Sequence, residues 1–135
     1  MEQSLMWQCD ACGKEHDCVQ KTSMLSPPQL LIIHLSRYPG SQLHNKKLVV
    51  TFPERGLIFP SHQERQERTK EYQLYALCDH KGSMSFGHYT AICRTSWTDD
   101  ASNWMFFSDT MVKPYSLEEA LGHHTAHILF YRAVN

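Results

Sequence analysis

Residues 72–93 read YQLYALCDHKGSMSFGHYTAIC, and this stretch decides the fold class. Its first part, Tyr72 to Cys78, mixes aromatic and aliphatic residues, which is typical of a buried strand. A loop that is bounded by Gly82 and Gly87 follows, and the apolar pattern resumes from His88 to Thr95. Two such segments joined by a glycine-bearing loop predict an antiparallel hairpin, with its first strand in the centre of a sheet.

The glycine loop delivers one histidine, His88, to the start of the second strand. An imidazole titrates near neutral pH, so a histidine held on a strand beside a cleft suits general-base catalysis. Such a base needs a partner for its second ring nitrogen. Ser108 and Asp109 follow a predicted strand, Trp104–Phe107, and an antiparallel neighbour would bring either side chain within reach. The alternative is a structural role, since the chain has nine histidines.

Outside this hairpin the pattern is mostly β, which predicts an α+β protein with an antiparallel sheet and one short helix. Ser116 and Glu119 form a capping-box pattern, so a helix is expected over Ser116–Leu121, ending at Gly122. The polar segment His62–Glu71 is expected to be a solvated loop or an exposed helical turn. Further strands are predicted at Gln29–Tyr38, Lys47–Phe52, Gly56–Phe59 and His127–Val134.

A second motif, Cys9-Asp10-Ala11-Cys12, has the C-x-x-C spacing with which two thiolates hold zinc on a tight turn. Structural zinc takes four ligands, and the sequence has no second C-x-x-C. Three interpretations stay open. His16 and Cys18 could complete a local site, the motif could be half of a site whose other ligands lie outside this chain, or both thiols could be without metal.

The bulk properties exclude several classes of protein. With 41% hydrophobic and 20% charged residues, the 135-residue chain has the composition of a globular domain. Its formal net charge of -1 gives no support to a nucleic-acid partner. The longest aliphatic run, Leu30–Ile33, is too short to cross a membrane. No secretory signal is visible, so the five cysteines are expected to be reduced thiols or metal ligands in the cytosol or nucleus.

Read in order, these motifs resemble the C-terminal part of the catalytic domain of the ubiquitin-specific proteases. The resemblance runs from about Cys9 to Arg132, and residues 75–91 are its most specific piece. The other segments that carry it are SPPQLLIIHLSRY from Ser26, VVTFPERGLIF from Val49, NWMFFSDTMV from Asn103 and AHILFYR from Ala126.

The resemblance implies a papain-like cysteine protease fold made of fingers, palm and thumb. Residues 1–20 would be the end of the fingers, where Cys9 and Cys12 would form half of a zinc ribbon, and residues 21–135 would belong to the palm. His88 would be the general base, oriented by Ser108 or Asp109. The channel for the C-terminal tail of ubiquitin would be lined by residues in and beside the glycine loop: Gly82, Phe86, Gly87 and Tyr89.

The implied function is that of a ubiquitin carboxyl-terminal hydrolase, a cysteine deubiquitinase that needs no cofactor for catalysis. The implied binding partner is ubiquitin or a ubiquitin-like modifier. The segment that carries the family's nucleophilic cysteine is missing from the sequence, so the thumb segment or a partner chain would have to complete the site.

The sequence departs from the family pattern in two ways that matter for activity. None of its cysteines suits the nucleophile, since Cys78 and Cys93 fall within predicted strands and Cys18 begins a strand that leaves the fingers. Ser108 stands where the family typically has Asn or Asp, so the imidazolium would have a weaker partner. Two hypotheses follow: a part of an active enzyme, or a pseudoenzyme that binds ubiquitin or a ubiquitin-like modifier without cleaving it. A zinc-ribbon interaction domain is a third.

Overall fold

The computed structural model describes residues 2–22, 24–37, 49–59, 69–83, 86–98 and 103–134. They form two compact units, one of residues 1–27 with 59–69 and one of residues 28–58 with 70–135. No helix in the described ranges is long and apolar enough to span a bilayer.

The first unit contains an antiparallel hairpin of β1 (Glu2–Gln8) and β2 (Glu15–Lys21). The strands pair in register from Glu2 opposite Lys21 to Gln8 opposite Glu15. No pattern in the sequence predicts β1. Almost all of its residues are exposed, so the period-2 pattern that a buried face would impose is weak.

The second unit is built on one seven-stranded sheet. Its elements are β3 (Leu30–His34), β4 (Leu57–Phe59), β5 (Lys70–Gly82), β6 (Gly87–Arg94), β7 (Trp104–Ser108), β8 (Met111–Tyr115), α1 (Leu117–Leu121) and β9 (Ala126–Val134). The strand order is β3-β9-β5-β6-β7-β8, with β4 paired to β5, and the described pairs on this path are antiparallel. The long strand β5 lies between β9 and β6, as the hairpin pattern predicts.

The core of this unit is centred on β5 and the strands beside it. Buried tyrosines there need a polar partner for their hydroxyl groups. Tyr72 donates to the carbonyl of Pro28 and Tyr131 to that of Pro53, each at 2.7 Å. Burial raises the pKa of Tyr131 to about 12, so this phenol stays a donor. The largest fully buried apolar side chains are Trp104, Tyr72, Tyr131, Leu74, Leu77 and Ile92.

A buried ion pair joins the segment before β4 to β6. Arg94 Nη1 lies 2.7 Å from Glu54 Oε1, and the Arg94 side chain is 3% exposed. The Glu54 carbonyl also accepts from the backbone N–H of Leu74 on β5. Both charges are largely out of water, so removing one side chain would leave the other charge poorly solvated and without this partner, which is destabilising.

In the second unit the predicted elements differ from the structure at three further places. β3 ends at His34 rather than Tyr38, because the guanidinium of Arg37 turns inward and donates to the carbonyls of Ala126 and His124. Residues 49–52 form no strand, and residues 47, 48 and 38 lie outside the described ranges. β8 is missed, since Met111–Tyr115 contains a proline and is almost wholly exposed.

The predicted helix is confirmed together with its cap. Ser116 accepts from the N–H of Glu119, and the Glu119 carboxylate accepts from the N–H of Ser116. Gly122 ends the helix, although its backbone is right-handed rather than left-handed. The predicted polar loop at His62–Glu71 falls mainly outside the described residues, and Lys70 and Glu71 belong to β5.

Candidate functional site

The side chains of His88 and Ser108 meet, as the predicted strand pairing requires. His88 lies at the start of β6 and Ser108 at the end of β7, and these two strands are antiparallel neighbours. The Nε2 atom of His88 is 2.8 Å from the Oγ of Ser108. A hydroxyl oxygen can accept from Nε2–H, which leaves Nδ1 with a lone pair that can take up a proton.

Asp109, the other predicted partner of His88, is more distant. Its Oδ2 atom lies 3.9 Å from Nε2, and its side chain is 80% exposed. An ion pair of this kind is screened by water and contributes little. Asp109 has a φ of 51°, a left-handed conformation that aspartate tolerates better than most residues. The geometry therefore favours Ser108 over Asp109 as the group in direct contact with the imidazole.

The two glycines of the loop face each other across the β5–β6 hairpin. Gly82 has a φ of 143°, and a Cβ added there would lie 2.3 Å from the carbonyl oxygen of Phe86. A Cβ on Gly87 would lie 2.0 Å from Nε2 of His80. Neither position has room for a side chain, which explains why the sequence places glycine at both.

The other two predicted substrate-binding residues present exposed rings beside His88. Phe86 is 83% exposed and Tyr89 is 58% exposed. The ring of Tyr89 also packs against that of buried His80, with 4.3 Å between ring centres. The four predicted residues thus surround the start of β6, and the side chains of two of them can contact a bound molecule.

Cys9 directly follows β1, and Cys12 lies within the turn that leads to β2. The Cys9 N–H donates to the Lys14 carbonyl, and the Gly13 N–H donates to the Cys9 carbonyl. Backbone N–H groups of Cys12 and Ala11 lower the pKa of the Cys9 thiol. A thiol whose anion is favoured in this way fits a metal ligand.

A third possible ligand lies beside this pair of thiols. Nε2 of His16 is 3.3 Å from Sγ of Cys12. Within the described residues no group of three or more His, Cys, Asp or Glu side chains is arranged to hold a metal ion.

The remaining cysteines are poor candidates for a nucleophile. Cys78 on β5 and Cys93 on β6 are half-buried, and burial raises the pKa of both thiols. The charge of neighbouring Cys78 raises the pKa of Cys93 further. Cys18 lies within β2, not at its start, and is also half-buried.

Two histidine contacts escape sequence reasoning. Nε2 of His34 lies 3.2 Å from Nε2 of His127. Burial lowers the pKa of His127, and the charges of His34, His80 and Arg37 lower it further. His123 contacts the buried carboxylate of Asp79. The sequence carries one signal for the second contact. Asp79 is a charged residue inside an apolar strand, and such residues are seldom fully buried without a partner.

Comparison with known proteins identifies the family of the chain. The family model described as "Ubiquitin carboxyl-terminal hydrolase" matches residues 2–131. The chain is 33% identical over 126 residues to ubiquitin carboxyl-terminal hydrolase 21 of Homo sapiens, covering 92% of this chain and 21% of that protein. It is 33% identical over 131 residues to ubiquitin carboxyl-terminal hydrolase 8 of Arabidopsis thaliana, covering 94% of this chain and 14% of that protein.

Solved structures show the same fold. A SAGA Ubp8/Sgf11/Sus1/Sgf73 DUB module bound to ubiquitin aldehyde contains a chain that superposes with a TM-score of 0.78 at 25% identity. A yeast SAGA DUBm structure gives a TM-score of 0.81 at 24% identity. Each match covers 100% of this chain and 31% of the other, and the predicted α+β, mostly-β fold class is confirmed.

The chain thus spans about a fifth or less of these curated relatives. The family model nevertheless matches almost every residue from β1 to β9. This chain belongs to the ubiquitin carboxyl-terminal hydrolase family.

Proposed function

We propose that this chain is the histidine-bearing portion of a cysteine-type ubiquitin carboxyl-terminal hydrolase domain. In this proposal His88 is the general base and Ser108 orients it. The observation that carries the proposal is the 2.8 Å contact between Nε2 of His88 and Oγ of Ser108. It gives the imidazole a fixed orientation, which a general base requires.

The nucleophile would come from a segment outside this sequence. The chain spans 31% of the matched SAGA chains, which leaves room for such a segment in a longer protein. Its thiol would give its proton to Nδ1 of His88, and the thiolate would attack the carbonyl carbon at the end of ubiquitin. The imidazolium would then protonate the leaving amine, and water would release ubiquitin from the acyl-enzyme.

The substrate contacts are proposed by geometry as well. The tail of ubiquitin would run past Gly82 and Gly87, which are exposed. Exposed Phe86 and Tyr89 would supply apolar contacts. Ubiquitin as the substrate is supported by the structural relative bound to ubiquitin aldehyde.

An inactive, ubiquitin-binding protein is the second candidate function. Ser108 favours it, because a neutral hydroxyl stabilises an imidazolium less than a carboxylate would. Asp109 does not compensate, since its carboxylate is exposed and 3.9 Å away. The same surface around the glycine loop would then hold ubiquitin or a ubiquitin-like modifier without cleavage.

We also propose that Cys9 and Cys12 supply two thiolate ligands to a structural zinc ion. The lowered pKa of Cys9 supports this role. The two further ligands that a closed zinc site needs would come from outside this chain. Zinc would have no part in the hydrolysis.

The test is hydrolysis of a fluorogenic ubiquitin C-terminal amide by the longest natural protein that contains this chain. His88→Ala is compared with His124→Ala, which removes an exposed imidazole. We expect hydrolysis to be lost only in His88→Ala, with the Kd for ubiquitin unchanged. Binding without hydrolysis by the wild-type protein would support the second function. A wild-type protein that neither binds nor cleaves ubiquitin would refute both.

A further inference from the structure

One carboxylate, Asp79, is fully buried in the sheet and is not part of the site described above. It lies near the end of β5, 1% exposed. Burial raises the pKa of this carboxyl group, but hydrogen bonds from His123 and Thr125 and the charge of His123 outweigh burial, so its pKa is lowered. The group is therefore ionised at neutral pH, and a buried charge is tolerated only where its partners are in place.

The partners of Asp79 come from two directions. Its Oδ1 accepts from the backbone N–H of His80 at 2.8 Å. Its Oδ2 accepts from Thr125 Oγ1 at 3.2 Å and contacts His123 Nδ1 at 3.1 Å. The other ring nitrogen of His123 is 3.0 Å from the hydroxyl of Tyr115. This Asp79 network ties β5, β8 and the turn before β9 together.

The network sits at an irregularity of the sheet. The pairing of β5 with β9 shifts register between Cys78 and Asp79, where Cys78 faces Ile128 and Asp79 faces Ala126. A bulge bends a strand and re-aims the residues beyond it, and bulges are common beside active sites. Asp79 lies at this shift and binds the backbone N–H of the next residue on β5 and two side chains of the segment that precedes β9.

His80, the residue after Asp79, contacts the segment that carries His88. The buried ring of His80 leaves no room for a Cβ on Gly87, and it packs on Tyr89. Gly87 precedes His88 in the chain, and Tyr89 follows it. A shift in the backbone at His80 is therefore passed to both neighbours of His88.

We propose that the Asp79 network is a positioning device for His88, in which Asp79, His123 and Tyr115 fix the bulge that sets the place of His80 and, through it, of residues 87–89. Asp79 does not touch the imidazole of His88 in this arrangement. It acts through the backbone of β5 and through the ring of His80. The proposal deepens the proposed function, but its test needs no hydrolysis.

The test compares two substitutions in the full chain that each remove one negative charge with hydrogen-bond partners in the fold. Asp79→Asn puts an amide N–H₂ where either His80 N–H or the pair of His123 and Thr125 needs an acceptor. Glu54→Gln is the matched control, because Glu54 pairs with buried Arg94 at a different part of the sheet. Amide hydrogen exchange, and the ¹⁵N shifts of the His88 ring, are measured by NMR in both variants.

We expect amide hydrogen exchange at residues 87–89 to accelerate about tenfold in Asp79→Asn, relative to amides of β3 in the same variant. The reason is that one or more hydrogen bonds of the Asp79 network are lost. The His88 ring shifts should move as well. In Glu54→Gln both should match the wild-type protein. Equal acceleration in the two variants, or an unchanged His88 in Asp79→Asn, would overturn the proposal.

A milder variant covers the case in which Asp79→Asn does not fold. Tyr115→Phe removes one hydroxyl, 3.0 Å from His123, and leaves the carboxylate with its other partners. It should move the same His88 ring signals by a smaller amount, at unchanged hydrogen exchange in β3. Wild-type His88 signals in Tyr115→Phe would refute the role of the network. An absence of ubiquitin hydrolysis would count only against the proposed function.

Discussion

Replacing Gly87 with alanine should destabilise the protein by a specific steric conflict. The new Cβ would lie 2.0 Å from Nε2 and 2.6 Å from Cε1 of His80, and 2.9 Å from the backbone oxygen of Lys81. Neither neighbour can move easily, because one is backbone and the other is a ring that is only 6% exposed. Overpacking of this kind lowers the free energy of unfolding by about 1–3 kcal/mol. Because both neighbours are rigid, we expect a loss of about 3 kcal/mol for Gly87→Ala.

The assay is urea unfolding followed by tryptophan fluorescence, with Gly56→Ala as the control. Gly56 has a φ of 77° and no atom within 4 Å of its would-be Cβ, so its substitution tests backbone strain alone, at about 1 kcal/mol. In the double variant with His80→Ala, the loss should be smaller than the sum of the two single losses by about 1 kcal/mol or more. If Gly87→Ala costs no more than Gly56→Ala, or if the two losses simply add, the reasoning is wrong.

Three further predictions concern other parts of the structure. In a protein that proves active, Ser108→Ala should lower kcat about tenfold at unchanged KM, the cost of one hydrogen bond that orients the base; an unchanged kcat would exclude Ser108. The lowered pKa of His127 means that the unfolded chain binds protons more readily below about pH 6.5, so stability should fall with pH there. Urea midpoints at pH 7.5 and 5.5 should differ less in His127→Phe, and an equal difference would contradict this. Ser116→Ala removes the helix cap and should cost about 1 kcal/mol by the same assay, whereas a loss near zero would show that the capping hydrogen bonds do not stabilise α1.

The hairpin around the glycine loop could be predicted from sequence, because its two apolar segments and its glycines are local signals. The contact of His88 with Ser108 followed from one further step, the pairing of adjacent antiparallel strands. The contacts of Asp79 could not be predicted in this way. His123 and Thr125 lie 44 and 46 positions from it in the chain, and only the fold brings them together.

A strand-like composition gave a wrong prediction at residues 49–52, where contacts to other segments take the place of pairing with a neighbouring strand. Residues 49–52 are apolar enough for a strand, yet the Val50 N–H donates to the carbonyl of His124, and the carbonyl of nearby Pro53 accepts from Tyr131. The backbone of this segment is thus satisfied in part by single contacts to other segments. No pattern within the segment distinguishes that arrangement from a paired strand.

The proline in β8 has a consequence for how this sheet meets other proteins. β8 is the last strand of the path β3-β9-β5-β6-β7-β8, and Pro114 lies opposite Met105 within it. Proline is tolerated in a ladder where its nitrogen faces away from the neighbouring strand, so the outer side of β8 has lost a donor in its middle. A strand from another molecule cannot bond continuously there, and a gap of this kind blocks edge-to-edge growth into fibrils or dimers.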